Sequence, residues 1–289
     1  MSGVFGTLSA RSLDLPAGLS KNLFQERFHT LSLLKSPIEM MMRLSAPARA
    51  YVLSLVAVLA LVGTSSSFAQ QHISKKYPAG KNVRLELKNI SGEIIVESWD
   101  RDEIKVSATL ESPTARFSPR QTGDGLFIDV MGDNRGRGEV GNINFKVQVP
   151  VSSSVDVETR RGDIHVSNVQ GGSVRARVSS EGDIELSNIN ASQVVASNTI
   201  GQIYFDGELK RGGSYEFASN KGNIIIRIPA DSAFRLVAVT PTKKIEIGPF
   251  WNDRFQTTGG GRKVFGDVGD GRASVTVTNF QGSITFLRR

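Results

Sequence analysis

The chain has 289 residues, a formal net charge of +7, three histidines and no cysteine. The lack of cysteine excludes a disulfide framework, and with three scattered histidines it indicates no metal site and no cofactor. Residues 70–289 carry 29 Lys and Arg against 25 Asp and Glu, interspersed along the chain. Because nucleic-acid binding needs a clustered basic face, we expect no nucleic-acid partner.

Residues 1–40 are interpreted as a doubtful leader. A signal peptide normally begins at its own methionine, and Met40, Met41 and Met42 stand directly before a segment of that kind. The hypothesis is that synthesis starts at one of these three methionines.

Residues 41–69 have the parts of a secretory signal peptide. Two arginines precede a continuous apolar run over residues 51–62, and a stretch of small residues ending at Ala69 follows it. Twelve residues of helix span roughly 18 Å, less than the ~30 Å hydrocarbon core of a membrane. We expect cleavage after Ala69 and export to the periplasm, cell surface or extracellular space, with membrane contact only through this segment before cleavage. An uncleaved anchor is the alternative.

Residues 70–141 are predicted to form an N-terminal β-rich cap. Apolar and polar side chains alternate in several short segments, which is the period of a half-buried strand, and Asn, Asp, Ser and Gly separate those segments as turns do. The predicted strands are 83–87, 93–97, 103–110 and 126–130.

Residues 142–289 contain a repeat, the tripeptide Gly-x-Ile. It begins at Gly141, Gly162, Gly182, Gly201, Gly222 and Gly282, and the first five glycines are 21, 20, 19 and 21 residues apart. A fixed period of about 20 residues indicates one structural unit stacked many times. Lys243-Lys244-Ile245 is a degraded copy, for which we expect a distorted coil.

The repeat predicts an all-β fold, a parallel β-solenoid of about 20-residue coils. Stacking at the ~4.8 Å strand spacing would place Ile164, Ile184, Ile203 and Ile224 in one inward column. The glycine before each isoleucine would form a turn that other residues resist. A β-sandwich is the alternative, chiefly for residues 80–150.

These segments together resemble a large bacterial family of exported proteins called putative adhesins, which are built from β-strand repeats. The resemblance rests on V-x-L-x-L-x-N-x-S-G-x-I-x-V over residues 83–96, on Trp99-Asp100-Arg101-Asp102-Glu103-Ile104, and on the Ser/Thr-x-x-Gly-x-Ile coils. It covers roughly residues 81–287 and implies a non-catalytic binding role. The family has no agreed catalytic or ligand residues, so none is carried over.

Asp163 and Asp183 follow the repeat glycine in adjacent coils, so their carboxylates would lie about 5 Å apart. Turn chemistry is the favoured interpretation, because Asp suits a position beside a turn glycine. An acid/base pair and a calcium site are the alternatives. His165 is expected on the outward face of its strand. Arg161-Gly162-Asp163 spells the integrin tripeptide, which we interpret as a by-product of the repeat.

Trp251, Phe250 and Phe255 cluster outside any clear coil and are the candidate binding residues; a capping cluster is the alternative. The predicted function is an exported, non-catalytic, adhesin-like binding module at the surface or in the periplasm, with a glycan or a cell-surface protein as partner. One alternative is a structural protein that polymerises through stacked coils. The other is a polysaccharide-active β-helical enzyme.

Overall fold

The computed structural model describes residues 70–289, so the predicted leader (1–40) and signal peptide (41–69) lie outside the described residues. The strands are β1 (Gln71–Pro78), β2 (Arg84–Ser91), β3 (Ile94–Trp99), β4 (Glu103–Leu110), β5 (Arg120–Thr122), β6 (Gly125–Asp129), β7 (Ile143–Pro150), β8 (Ser154–Arg161), β9 (Ile164–Ser167), β10 (Ser173–Glu181), β11 (Ile184–Ile189), β12 (Gln193–Ile200), β13 (Ile203–Gly207), β14 (Ser214–Lys221), β15 (Ile224–Ile228), β16 (Phe234–Val239), β17 (Ile245–Glu246), β18 (Gln256–Thr258), β19 (Lys263–Val268), β20 (Ala273–Gln281) and β21 (Ile284–Arg288). A short helix, α1 (Val130–Asp133), and a 3₁₀ turn (Gly248–Phe250) complete these elements.

The strands form two large sheets, which confirms the all-β prediction. Sheet A has ten strands in the order β1-β4-β7-β3-β9-β11-β13-β15-β21-β17, and sheet B has eleven in the order β18-β19-β16-β20-β14-β12-β10-β8-β2-β6-β5. From β8 to β15 successive strands alternate between sheet B and sheet A. Apolar side chains buried from the two sheets form one continuous core.

The middle of sheet A contains the predicted column of isoleucines. Ile184 pairs in parallel register with Ile164 on one side and with Ile203 on the other, and Ile203 pairs with Ile224. All four side chains are buried. Each such burial stabilises the fold by roughly 1.5–3 kcal/mol, so the repeated isoleucine is a principal source of stability.

The sheets are mixed, which corrects the prediction of purely parallel pairing. Antiparallel pairs join β1 to β4, β4 to β7 and β5 to β6 at one end. Others join β19 to β16 and to β18 at the opposite end. At each end the parallel strands have no further parallel partner, and antiparallel strands cover most of their open edges. Of the four outermost strands, β5, β17 and β18 have only two or three residues, whereas β1 has eight.

The order of strands in space differs from their order in the chain. β20 and β21 lie between β14–β15 and β16–β17, with parallel partners on both sides. Near the other end, β2 and β3 pair with β8 and β9, so strand pairs cross the predicted boundary between residues 141 and 142.

Two copies of the tripeptide behave differently from the sequence prediction. Gly92-Glu93-Ile94, which was not counted, is a full copy, since Ile94 pairs with Ile164. For the copy at Gly141 the predicted register is wrong by two residues, because Phe145 rather than Ile143 pairs with Ile94. On its other side β7 pairs with the antiparallel strand β4, where Ile143 lies opposite Leu110.

The repeat glycines are required by close approach as well as by backbone angle. Gly182 has a φ of +151°, and a Cβ placed on it would lie 2.1 Å from the carbonyl oxygen of Gly162 in the coil below. The corresponding Cβ on Gly201 would lie 2.1 Å from the carbonyl oxygen of Gly182. Any side chain at these turns would therefore push the coils apart.

Candidate functional site

The predicted aromatic residues lie at one end of the stack, between β17 and β18. Gly248 adopts a φ of +53° and begins the 3₁₀ turn. The backbone N–H of Phe250 donates to the carbonyl of Ile247 at 3.3 Å, and that of Trp251 donates to the carbonyl of Gly248 at 3.2 Å. This turn directs two consecutive aromatic residues to different environments.

The structure separates the three aromatic side chains by burial. Phe250 is buried and packs edge-on against Phe234, with ring centroids 5.7 Å apart. Phe255 is also buried, whereas Trp251 is 55% exposed and stacks on Phe255 at 5.4 Å. The aromatic surface offered to solvent by these three residues is thus mainly the Trp251 ring, and Phe250 belongs to the cap that we gave as the alternative.

The loop that carries Trp251 is held by Asn252. Its side-chain nitrogen donates to the carbonyls of Phe250 and Asp267 at 3.4 and 3.2 Å, and its Oδ1 accepts from the backbone N–H of Arg254 at 2.9 Å. The Arg254 guanidinium donates in turn to the carbonyl of Gly269 at 2.9 Å. These bonds fix the backbone on both sides of the exposed indole.

Gly266 makes room for the ring beneath Trp251. A Cβ at this position would lie 2.7 Å from Cδ1 of Phe255, so only glycine permits the ring to pack here. The sequence analysis missed both Gly266 and Asn252. The available signal was a glycine inside the apolar strand β19, since such a glycine often marks close approach of another group.

An ion pair joins β19 to its antiparallel neighbour β16. Nε of Arg235 donates to Asp267 at 2.9 Å. The Arg235 guanidinium lowers the pKa of Asp267, mainly through this hydrogen bond.

Asp163 and Asp183 serve as turn acceptors. Oδ1 of Asp163 accepts from the backbone N–H of Asp183 at 2.8 Å, and Oδ1 of Asp183 accepts from the backbone N–H of Gln202 at 2.7 Å. Asn223 holds the backbone N–H of Ser283 in the same way at 3.0 Å. Because the uncharged amide of Asn223 accepts the same hydrogen bond, the position after the repeat glycine requires an acceptor and not a charge. Turn chemistry therefore accounts for both aspartates.

The remaining sequence candidates lie on the outer surface of the coils. His165 stands between Glu185 and Glu93, at 3.2 and 3.5 Å. Arg161 is exposed, but Gly162 of the same tripeptide is stacked closely on Gly92. The Arg-Gly-Asp sequence is therefore part of a rigid coil turn.

Within residues 70–289 no group of three or more His, Cys, Asp or Glu side chains is arranged to hold a metal ion. Over the same range, no helix is both long enough and apolar enough to cross a membrane.

No family model and no curated protein matches the chain. Among solved structures it is similar to a putative cell adhesion protein from Clostridium sporogenes, with 12% identity and a TM-score of 0.45 over 76% of this chain and 100% of that one. It is also similar to a putative adhesin from Bacteroides fragilis, with 10% identity and a TM-score of 0.30 over 77% and 99%. A putative lipid binding protein from Parabacteroides distasonis is also similar, with 10% identity and a TM-score of 0.30 over 76% of this chain and 97% of that one.

The first two of these structures are described as a putative cell adhesion protein and a putative adhesin, in agreement with the resemblance to putative adhesins. At this level of similarity it carries no argument about the ligand.

Proposed function

We propose that this protein is an exported, non-catalytic binding module of the adhesin type, built on a parallel β-solenoid whose ends are closed by antiparallel strands. The alternation of strands between two sheets and the register of the isoleucine column support the solenoid. The apolar run and small-residue stretch of residues 41–69 support export. N-terminal sequencing of protein recovered from the culture medium and from the periplasm would test export, with Gln70 as the expected first residue.

The observation that carries the binding role is the exposure of Trp251 on a fixed backbone. A large aromatic ring that is 55% exposed loses apolar hydration when it is covered. Its stacking on Phe255 and the hydrogen bonds of Asn252 mean that little side-chain or loop entropy is lost on binding. Aromatic anchors of this kind contribute a large part of binding energy at interfaces.

A sugar ring is the ligand that this surface fits best. Its C–H face can cover the indole, while its hydroxyls can bond the amide and guanidinium groups around the loop. A loop of a cell-surface protein with an apolar side chain at its tip is the second partner of this chemistry.

A glycan array probed with the full-length protein, followed by titration of the glycans that bind, would test this role. We expect Trp251→Ala to weaken binding by about tenfold or more, in the range of interface hot spots. Phe280→Ala is the matched control, because Phe280 is 62% exposed on β20 and outside the aromatic segment. Full binding by Trp251→Ala, with an unchanged circular dichroism spectrum, would reject the site.

A further inference from the structure

A second candidate site lies at the far end of the stack from Trp251. Arg137, Arg160 and Arg161 line a groove of about 500 Å³ beside the ends of β2 and β8. Arg135 and Arg160 line an adjoining groove of about 480 Å³. Ile90, Asn134 and Arg160 line both, so the two grooves are neighbours and are here together called the arginine groove. In sheet B it is six strand spacings from β16, or about 29 Å.

The loop that supplies two of these arginines is anchored from below. Asn134, which is buried, donates to the carbonyls of Arg116 and Val130 at 2.6 and 2.8 Å, and accepts from the backbone N–H of Arg116 at 3.0 Å. The backbone N–H of Arg137 donates to the carbonyl of Asn134 at 3.1 Å. Arg160 and Arg161 end a central strand. All four guanidinium groups therefore project from a fixed backbone.

These four arginines form no ion pair within the described residues, in contrast to several others in the same protein. Arg175, Arg211 and Arg235 each pair with an aspartate at 3.3, 2.8 and 2.9 Å. The groove contains three carboxylates, of which Glu139 is exposed and the other two are engaged by neutral donors. Glu111 accepts from the backbone and side-chain nitrogens of Asn142 at 3.1 and 3.2 Å, and Asp129 accepts from the backbone N–H of Gly132 at 2.8 Å.

We propose that the arginine groove binds an acidic polysaccharide, a polymer of uronic acids, through its carboxylates. A guanidinium presents a planar fork of donors that matches a carboxylate in two parallel hydrogen bonds. Several such forks along the arginine groove suit a polymer with a carboxylate on successive sugars. Ile90 and Met131, both half-buried, lie between the charges and can cover the apolar faces of the rings. This site is independent of Trp251.

The test is calorimetric titration of the full-length protein with oligomers of polygalacturonate. We expect R160Q/R161Q and R135Q/R137Q each to bind about tenfold more weakly or worse, since each loses two charge-assisted contacts. R120Q/R262Q is the control of equal charge change, because both residues are exposed and lie outside the groove; we expect it to stay within about twofold. Trp251→Ala should leave this binding unchanged.

Several outcomes would overturn the proposal. The first is no heat with the uronate oligomers, and the second is an equal loss in the control double variant, which would indicate diffuse attraction to net charge. Polyphosphate of the same length binding as tightly as the uronate would reject the carboxylate assignment. Thermal unfolding of every variant shows whether a loss reflects the site, since exposed Arg→Gln changes should leave the fold intact.

Discussion

The stack from β8 to β15 and the segment from β16 to β19 use polar and aromatic side chains in opposite ways. In the stack, the side chains of Asp163, Asp183 and Asn223, which follow repeat glycines, accept hydrogen bonds from the backbone of the neighbouring strand pair. In the end segment there is no next coil, and Trp251 is left facing solvent. Polar side chains inside the repeat are used in hydrogen bonds between neighbouring repeat units. Groups that bind a ligand are therefore best sought where the repeat stops.

The first prediction concerns a glycine inside the stack and has the largest expected effect on stability. Gly182→Ala should reduce the free energy of unfolding by about 3 kcal/mol or more, because the new methyl group meets the Gly162 carbonyl and the backbone angle is unfavourable. Urea unfolding followed by circular dichroism measures it. Gly212→Ala is the control: its φ is +75° but nothing lies within 4 Å, so we expect a loss of about 1 kcal/mol. Equal losses would show that close approach is unimportant.

The second prediction concerns the coil in which lysine replaces the repeat glycine. Lys243 has a φ of +63°, and only Ile245 and Glu246 pair with β21 in that coil. Lys243→Gly should stabilise the protein by about 0.5–1 kcal/mol, because glycine adopts this angle without steric cost while gaining some entropy in the unfolded chain.

The matched control for that change is Lys244→Gly. Lys244 lacks a positive φ, so glycine there should only add freedom to the unfolded state and destabilise by about 0.5–1 kcal/mol. Thermal unfolding of both variants would show opposite shifts in Tm. Shifts of the same sign would contradict the assignment of strain to Lys243.

The third prediction is a small pH effect in the end segment. The pKa of Asp267 is lowered in the folded protein by Arg235, so the pair stabilises the fold above the unfolded-state pKa of about 4 and is lost as the pH falls below it. Asp267→Asn should therefore lose less stability than the natural protein between pH 6 and pH 3.

We expect that difference to be about 0.2–1 kcal/mol, because solvent screens this exposed pair. Asp253→Asn is the control, since Asp253 is exposed and forms no ion pair within the described residues. Unfolding curves at the two pH values measure it. Identical pH dependence in the natural protein and Asp267→Asn would remove Arg235 as a source of stability.

The isoleucine column and the turn role of Asp163 could be predicted because a fixed period reports which residues become neighbours when coils stack in chain order. The position of β20–β21 could not, since nothing in a period states that a later coil is inserted earlier in the stack. One sequence feature does mark β20–β21 as a copy of the repeat, since Asn279 stands three residues before Gly282. In the structure the Asn279 side chain donates to the carbonyl of Gly222 at 2.8 Å. Asn198 has the same spacing from Gly201 and bonds Gly182 at 3.2 Å.

The candidate site was predicted only in part, for a related reason. Aromatic residues outside the repeat led to the segment that we propose as the site, but sequence could not tell the buried Phe250 from the exposed Trp251, because one peptide bond and a 3₁₀ turn separate their environments. The arginine groove was not predicted at all. Its arginines come from the loop between α1 and β7 and from the end of β8, and only the pairing of β2 with β8 and β6 brings these together.

The insertion of β20–β21 between two earlier coils has a consequence for the order in which the protein assembles. Coils from β8 to β15 can be added one at a time as the chain emerges, each on an edge that is already formed. The edge of β14 must then stay vacant while β16 to β19 are made, because its native neighbour is translated after them. Premature docking of β16 on β14 would be a kinetic trap, and escape from it requires that contact to open before residues 273–288 can enter.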